Sequence, residues 1–201
     1  MNDRTKARAV PSGTRIRAYL ERNGWTRETA GAADFDAAVG AVCAAVSAGL
    51  GIIASGPFGV GKTHLVRILA AGFGHHRLID LSEPSGTEML TDRWQDLWGE
   101  DLNAENVVLD DLGAELPANE FGVRIERAAD FLAARHRRFM SAETFPRLFV
   151  TTNLTSAELD ARYGGRVLSR LKDLCVPLRL GGRDKREWTR PAATGEVARG
   201  T

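Results

Sequence analysis

The residues Gly56, Pro57, Phe58, Gly59, Val60, Gly61, Lys62 and Thr63 spell G-x-x-x-x-G-K-[ST], a spacing suited to holding a phosphate. Three glycines permit a tight loop whose backbone N–H groups converge on an anion, and a helix starting near Lys62 adds its positive dipole end. Lys62 is then the cation for the β and γ phosphates, and the Thr63 hydroxyl is a ligand for Mg²⁺. His64 follows in the first turn of that helix. The implied ligand is a nucleoside triphosphate with Mg²⁺.

Three further groups of residues suit hydrolysis of such a ligand. In "VVLDDLG" an apolar run passes directly into Asp110 and Asp111. Strand alternation predicts that the two carboxylates point in different directions, Asp110 toward the Mg²⁺ shell and Asp111 toward an attacking water. In "FVTTNL" another apolar run ends at Asn153, whose amide offers both a donor and an acceptor to that water or to the γ-phosphate. Downstream, "YGGRVLSRL" puts Arg166 and Arg170 on one face of a short helix, suited to reaching the nucleotide of a neighbouring subunit. Taken singly, an acidic pair at a strand end is also a helix N-cap, and Thr-Thr-Asn is also an Asx-turn.

These groups need strands that end beside one another, and the chain offers them. "GIIAS" (Gly51 to Ser55), "RLIDL" (Arg77 to Leu81), "NVVLD" (Asn106 to Asp110), "RLFVTT" (Arg147 to Thr152) and "CVPLRL" (Cys175 to Leu180) are short β-rich apolar runs. Helical stretches separate them: Asp34 to Leu50 with Asp34 as N-cap, Lys62 to Phe73, Thr87 to Trp98, Phe121 to Phe139 and Gly165 to Lys172. Alternation of this kind predicts an α/β fold with a five-stranded parallel sheet between helices.

At 201 residues with 43% hydrophobic content, the chain suits one sizeable core. The reading divides it into a basic N-terminal arm (1–32), mobile or a single short helix, an ATPase domain (33–186) and a disordered tail (187–201). No apolar run approaches the roughly 20 residues of a membrane span, and no leader pattern opens the chain, so a cytoplasmic protein without membrane contact is expected. Cys43 and Cys175 lack disulfide or zinc spacing and read as buried thiols. Net charge is +1 but uneven: Asp80 to Glu120 holds twelve acidic residues and one basic, whereas Ala161 to Arg190 holds nine basic and three acidic. The basic segment is the better candidate for meeting phosphates or acidic partners.

"GPFGVGKTHL", "VVLDDLGAE", "FVTTNL" and "YGGRVLSRL", in this order and at these spacings, resemble the AAA+ ATPases of the DnaC/DnaI helicase-loader and IstB transposition-helper group. The resemblance spans about Ile52 to Arg186. It implies Walker A at Gly56 to Thr63, Walker B at Asp110 and Asp111, a first sensor at Asn153 and an arginine finger at Arg170. It also implies a P-loop domain of AAA+ type, homo-oligomeric rings or spirals with ATP between subunits, and a replicative helicase as partner, with single-stranded DNA as a further one. The rival within the group is a helper of a transposase. From another class, a P-loop kinase for a nucleotide or small metabolite would need an arginine-bearing lid over its acceptor.

The chain departs from the group's pattern in several places. Asp111 stands where many AAA+ proteins carry Glu. Ser82 to Glu105 has room for one helix where loaders carry a longer DNA-facing insertion. After the fifth strand only a short polar stretch follows, so no separate lid is expected, and Arg186 within it resembles a second sensor. His75 and His76 suit a helix C-terminus, Trp94 and Trp98 suit packing, and Arg135, Arg137 and Arg138 end an amphipathic helix from which they are candidates for nucleic-acid or subunit contact.

Overall fold

A computed structural model describes residues 12–82, 104–141, 147–182 and 184–185. Three helices open it: α1 (Gly13–Arg22), α2 (Arg27–Ala30) and α3 (Ala32–Ala48). Strand β1 (Gly51–Ser55) leads through the glycine loop into α4 (Lys62–Gly72). Then come β2 (His76–Asp80), β3 (Asn106–Leu112), β4 (Ala118–Glu120), β5 (Val123–Ile125) and α5 (Arg127–Ser141). The chain continues through β6 (Arg147–Thr152), α6 (Ser156–Tyr163), α7 (Gly165–Leu174) and β7 (Cys175–Arg179).

The five strands read from the sequence form one parallel sheet in the order β2-β3-β6-β1-β7. Strand β6 therefore lies between the strand that feeds the glycine loop and the strand that ends in Asp110 and Asp111. All three carry their polar residues at the C-terminal edge, where parallel α/β sheets place ligands. Helices α3 and α4 cover one face and α5 to α7 the other, each over its own apolar cluster. Val108 and Phe149 serve the first cluster and Leu109 and Val150 the second, the alternation that a buried strand imposes.

Several boundaries differ from the sequence reading. Residues 12–30, expected as a mobile arm or one short helix, form α1 and α2, and Ile16, Leu20, Trp25 and Ala30 lie in the first cluster. Burying side chains such as Leu20 and Trp25 contributes about 1.5–3 kcal/mol each, enough to hold the segment against the domain. The N-cap of α3 is Gly31, not Asp34; the Asp34 carboxylate instead accepts the N–H groups of Gly181 and Gly182 beyond β7, at 2.9–3.2 Å.

Phe121 to Ile125, read as helical, belongs to the hairpin β4–β5, whose two-residue turn has positive φ at Phe121 (52°) and Gly122 (79°). Helix α6 was not anticipated, although Thr155-Ser156-Ala157-Glu158 is a capping box: Thr155 N–H donates to Glu158 Oε2 (2.7 Å) and Glu158 N–H to Thr155 Oγ1 (3.3 Å). Cys175 is buried as expected, with its Sγ–H directed to the Leu148 carbonyl at 3.2 Å, while Cys43 is only half-buried. The readings for Thr87 to Trp98, with Trp94 and Trp98, for Arg186 and for the tail at 187–201 lie outside the described residues. Among the described residues no helix is long and apolar enough to cross a membrane.

Candidate nucleotide site

The glycine loop runs from β1 into α4 with positive φ at Gly56 (148°), Gly59 (76°) and Gly61 (92°). At Gly61 a side chain is excluded on two counts, since φ is left-handed and an added Cβ would stand 2.8 Å from the Trp25 ring. Val60 is fully buried and anchors the loop, whereas Phe58 stands 68% exposed with Lys62 Nζ 5.9 Å from its ring centre. Pro57 and His64 are exposed, and the His64 ring lies 6.4 Å from that of Trp25. The chain returns to this loop after β7: Lys185 N–H donates to Gly59 O (3.0 Å), and Lys185 Nζ sits 3.8 Å above the Trp25 ring.

Lys62 is only 6% exposed, and an ammonium so enclosed must be met by acceptors. It donates to the carbonyls of Gly56 (2.8 Å) and Pro57 (2.7 Å) and to Asn153 Oδ1 (2.6 Å). Thr63 Oγ1 donates to Asp110 Oδ1 (3.0 Å). Asp110, 3% exposed, also accepts the Thr151 hydroxyl on the same oxygen (2.5 Å), while its other oxygen lies 3.8 Å from Arg67. Asn153 Nδ2 donates to Asp111 Oδ1 (3.4 Å). Lys62, Thr63, Asp110, Asp111 and Asn153 are thus linked at the C-terminal ends of β1, β3 and β6.

The two aspartates separate by a bulge rather than by plain alternation. Leu109 pairs with Val150 and Leu112 with Thr152, so Asp110 and Asp111 together oppose Thr151 alone. The Thr151 hydroxyl serves both, donating to the Asp110 carboxylate and accepting the Asp111 backbone N–H (2.8 Å). Asp111 adopts φ of 55°, uncommon for a non-glycine residue, which takes its side chain away from that of Asp110. Burial, then the Asp110 carboxylate and, more weakly, Asp80 raise the Asp111 pKa above its ordinary value; Lys62 and the Asn153 hydrogen bond oppose the rise.

Groups outside the sequence reading complete the site. Thr151 was legible only as part of a strand, because its role depends on the bulge. Arg67 stands one helical turn after Thr63 on α4, and that spacing is a usable signal. Arg166 and Arg170 lie on α7, the first exposed and the second half-buried. Neither makes a hydrogen bond or ion pair among the described residues, and neither joins the Lys62 cluster. Arg135, a candidate for nucleic-acid contact in the sequence, is fully buried and donates to the carbonyls of Glu105 and Arg147; burial lowers its pKa to about 10.

The arrangement fits ATP with Mg²⁺. The carbonyls that hold Lys62 belong to the loop itself, so the ammonium already stands where phosphate oxygens would compete for it. A hydroxyl and a buried carboxylate are hard oxygen donors of the kind Mg²⁺ selects.

No protein-family model matches the chain, and no curated protein does. Among solved structures, one described as "Crystal structure of the DnaC helicase loader" is 24% identical, with 66% of this chain and 78% of that one covered at a TM-score of 0.45. Another, described as "Crystal structure of DNA replication initiation factor", is 15% identical, with 77% of this chain and 46% of that one covered at a TM-score of 0.42. The functional reading rests on the residues of the site.

Proposed function

We propose that this chain is an ATP-binding and ATP-hydrolysing protein of AAA+ type that acts in DNA replication as a helicase loader. The observation that carries the reading is the continuous set of bonds from Lys62 through Asn153 to Asp111, set beside the Thr63–Asp110 pair. It brings together an ammonium, a hydroxyl beside a buried carboxylate, an amide and a second carboxylate, which supports reading them as phosphate cation, metal-binding oxygens, water-orienting amide and base.

In this reading Lys62 would turn from the loop carbonyls to the phosphates, and Thr63 and Asp110 would hold Mg²⁺. Bound there, the metal would neutralise phosphate charge. Asp111 takes a proton from a water that Asn153 orients, and its raised pKa brings it nearer the working range of a general base. Arg170 completes the site of an adjacent subunit, consistent with its lack of bonds among the described residues. The helicase as partner comes from the motif resemblance and is the most specific part of the reading.

Incubation with ATP and Mg²⁺ tests the activity. Inorganic phosphate released to water, with a rate per subunit that rises with protein concentration, is the expected result. Transfer of phosphate only to a small acceptor would make the protein a kinase. Pull-down with an Asp111→Asn variant tests the partner: recovery of a replicative helicase is expected, and recovery of a transposase would redirect the reading.

A further inference from the structure

The turn that carries the chain away from Asp111 is held by side chains of the helix preceding α7. Ala114 N–H donates to Asp111 O (2.9 Å), Thr152 Oγ1 to Leu112 O (2.7 Å) and Gly113 N–H to Glu115 Oε2 (2.9 Å). Gly113 has φ of 102°, and a Cβ there would stand 2.4 Å from Leu154 Cδ1. Arg162, in the last turn of α6, donates to the carbonyls of Gly113 and Glu115. Its guanidinium also lies 3.4 Å from Glu115 Oε1 and 3.6 Å from Glu126 Oε2. The adjacent Tyr163 hydroxyl donates to Glu115 Oε1, and burial, then the Glu115 charge, raises the phenol pKa so that it stays a donor.

This cluster joins two elements that the nucleotide chemistry needs. On one side is the bulge that aims Asp111. On the other, only Gly164 and Gly165 intervene between Tyr163 and Arg166, and α7 begins at Gly165. Glu115 is 7% exposed, and a carboxylate–guanidinium pair at that depth yields little net stability compared with apolar packing. What it yields is orientation: Arg162 meets two backbone carbonyls and a carboxylate at once, which fixes the end of α6 against one backbone turn.

We infer that Glu115, Arg162 and Tyr163 are positioning residues that lock the Asp111 turn to the start of α7. The carboxylate that works within one subunit and the arginine offered to the next then shift as one unit. The lock stands on the geometry; its consequence for turnover rests on the ATPase reading above.

Amide hydrogen exchange and kinetics on the full chain, with Tyr163→Phe and Glu115→Gln, test the lock. In nucleotide-free protein, each variant should speed exchange about tenfold or more in both 113–115 and 165–170, while β1 and α4 keep their protection. Affinity for a fluorescent ATP analogue should stay within about twofold, and kcat should fall about tenfold or more with little change in KM. Faster exchange in only one of the two segments, or wild-type kcat in both variants, would overturn the inference. Should Tyr163→Phe lose its fold by circular dichroism, Glu115→Gln, which keeps size and shape, decides alone. A wild-type protein that releases no phosphate would sink the ATPase reading, and the exchange pattern would still decide the lock.

Discussion

Lys62 and Asp110 are nearly enclosed and each meets several polar partners, whereas Arg166 and Arg170, on the same domain, meet none among the described residues. The difference is one of completeness. At the loop, Lys62 and Asp110 are already opposed, so the arrangement is preorganised and a ligand has only to exchange partners. On α7 neither guanidinium is opposed by any of the described residues. A long cationic side chain left in this way is ordinary on a surface. On the function proposed above, Arg170, seven residues beyond Tyr163 in the cluster that grips the Asp111 turn, is half of a site whose other half lies on another subunit.

The largest effect should come from breaking the enclosed half. Lys62→Ala removes the partner of two loop carbonyls and of Asn153, and ATP affinity measured by calorimetry should fall more than about 100-fold; unchanged affinity would remove the loop from the account. Asp111→Asn keeps size and the Asn153 contact, so ATP should bind within about twofold while turnover drops about 100-fold or more. Comparable turnover in that variant would assign the base elsewhere.

A break in the open half should look different. Arg170→Ala removes no bond made among the described residues, so ATP affinity and melting temperature should match wild type while turnover falls about 10³-fold, as for arginine fingers supplied in trans. A loss of ATP affinity instead would place Arg170 at its own site.

The smallest effect sharpens the electrostatics. The Asp111 pKa is raised mainly by burial and then by Asp110, with Asp80 adding to the rise. In the nucleotide-free protein its carboxyl should therefore titrate above the ordinary carboxylate range, as followed by carbon-13 NMR of the labelled side chain. Asp80→Asn removes one raising charge, and the titration should move to lower pH. In stability the sign is opposite to that of a salt-bridged carboxylate: folding binds protons here, so this group favours the folded state more as pH falls through its raised pKa. A titration that stays in place in Asp80→Asn would show that Asp80 does not reach Asp111.

The parts of this molecule that were legible in the sequence are those whose meaning is local. Gly56 to Thr63 carry their own geometry in their spacing, and all five sheet strands begin within one residue of where the apolar runs do, with β3 continuing two residues beyond the end of its run. The turn of β4–β5 was missed because its left-handed positions hold Phe121 and Gly122, where Asn-Gly or Asp-Gly is the familiar signal. Ile16, Leu20 and Trp25 were hidden among polar neighbours, since an apolar stripe on a short helix is thin until a core is present to receive it. Thr151 acts through a bulge, and Glu115 meets Arg162 across 47 positions, so neither role is written in any single stretch.

The most direct measurement of the central claim, that one subunit's arginine completes another's site, is a mixing experiment. Arg170→Ala keeps Asp111, Asp111→Asn keeps Arg170, and each alone should be inactive. Mixed in equal amounts, they should regain phosphate release at up to about a quarter of the wild-type rate, the share of head-to-tail contacts that pair an intact carboxylate with an intact arginine. No activity at any mixing ratio, with both variants shown to bind ATP and to assemble together, would contradict the account.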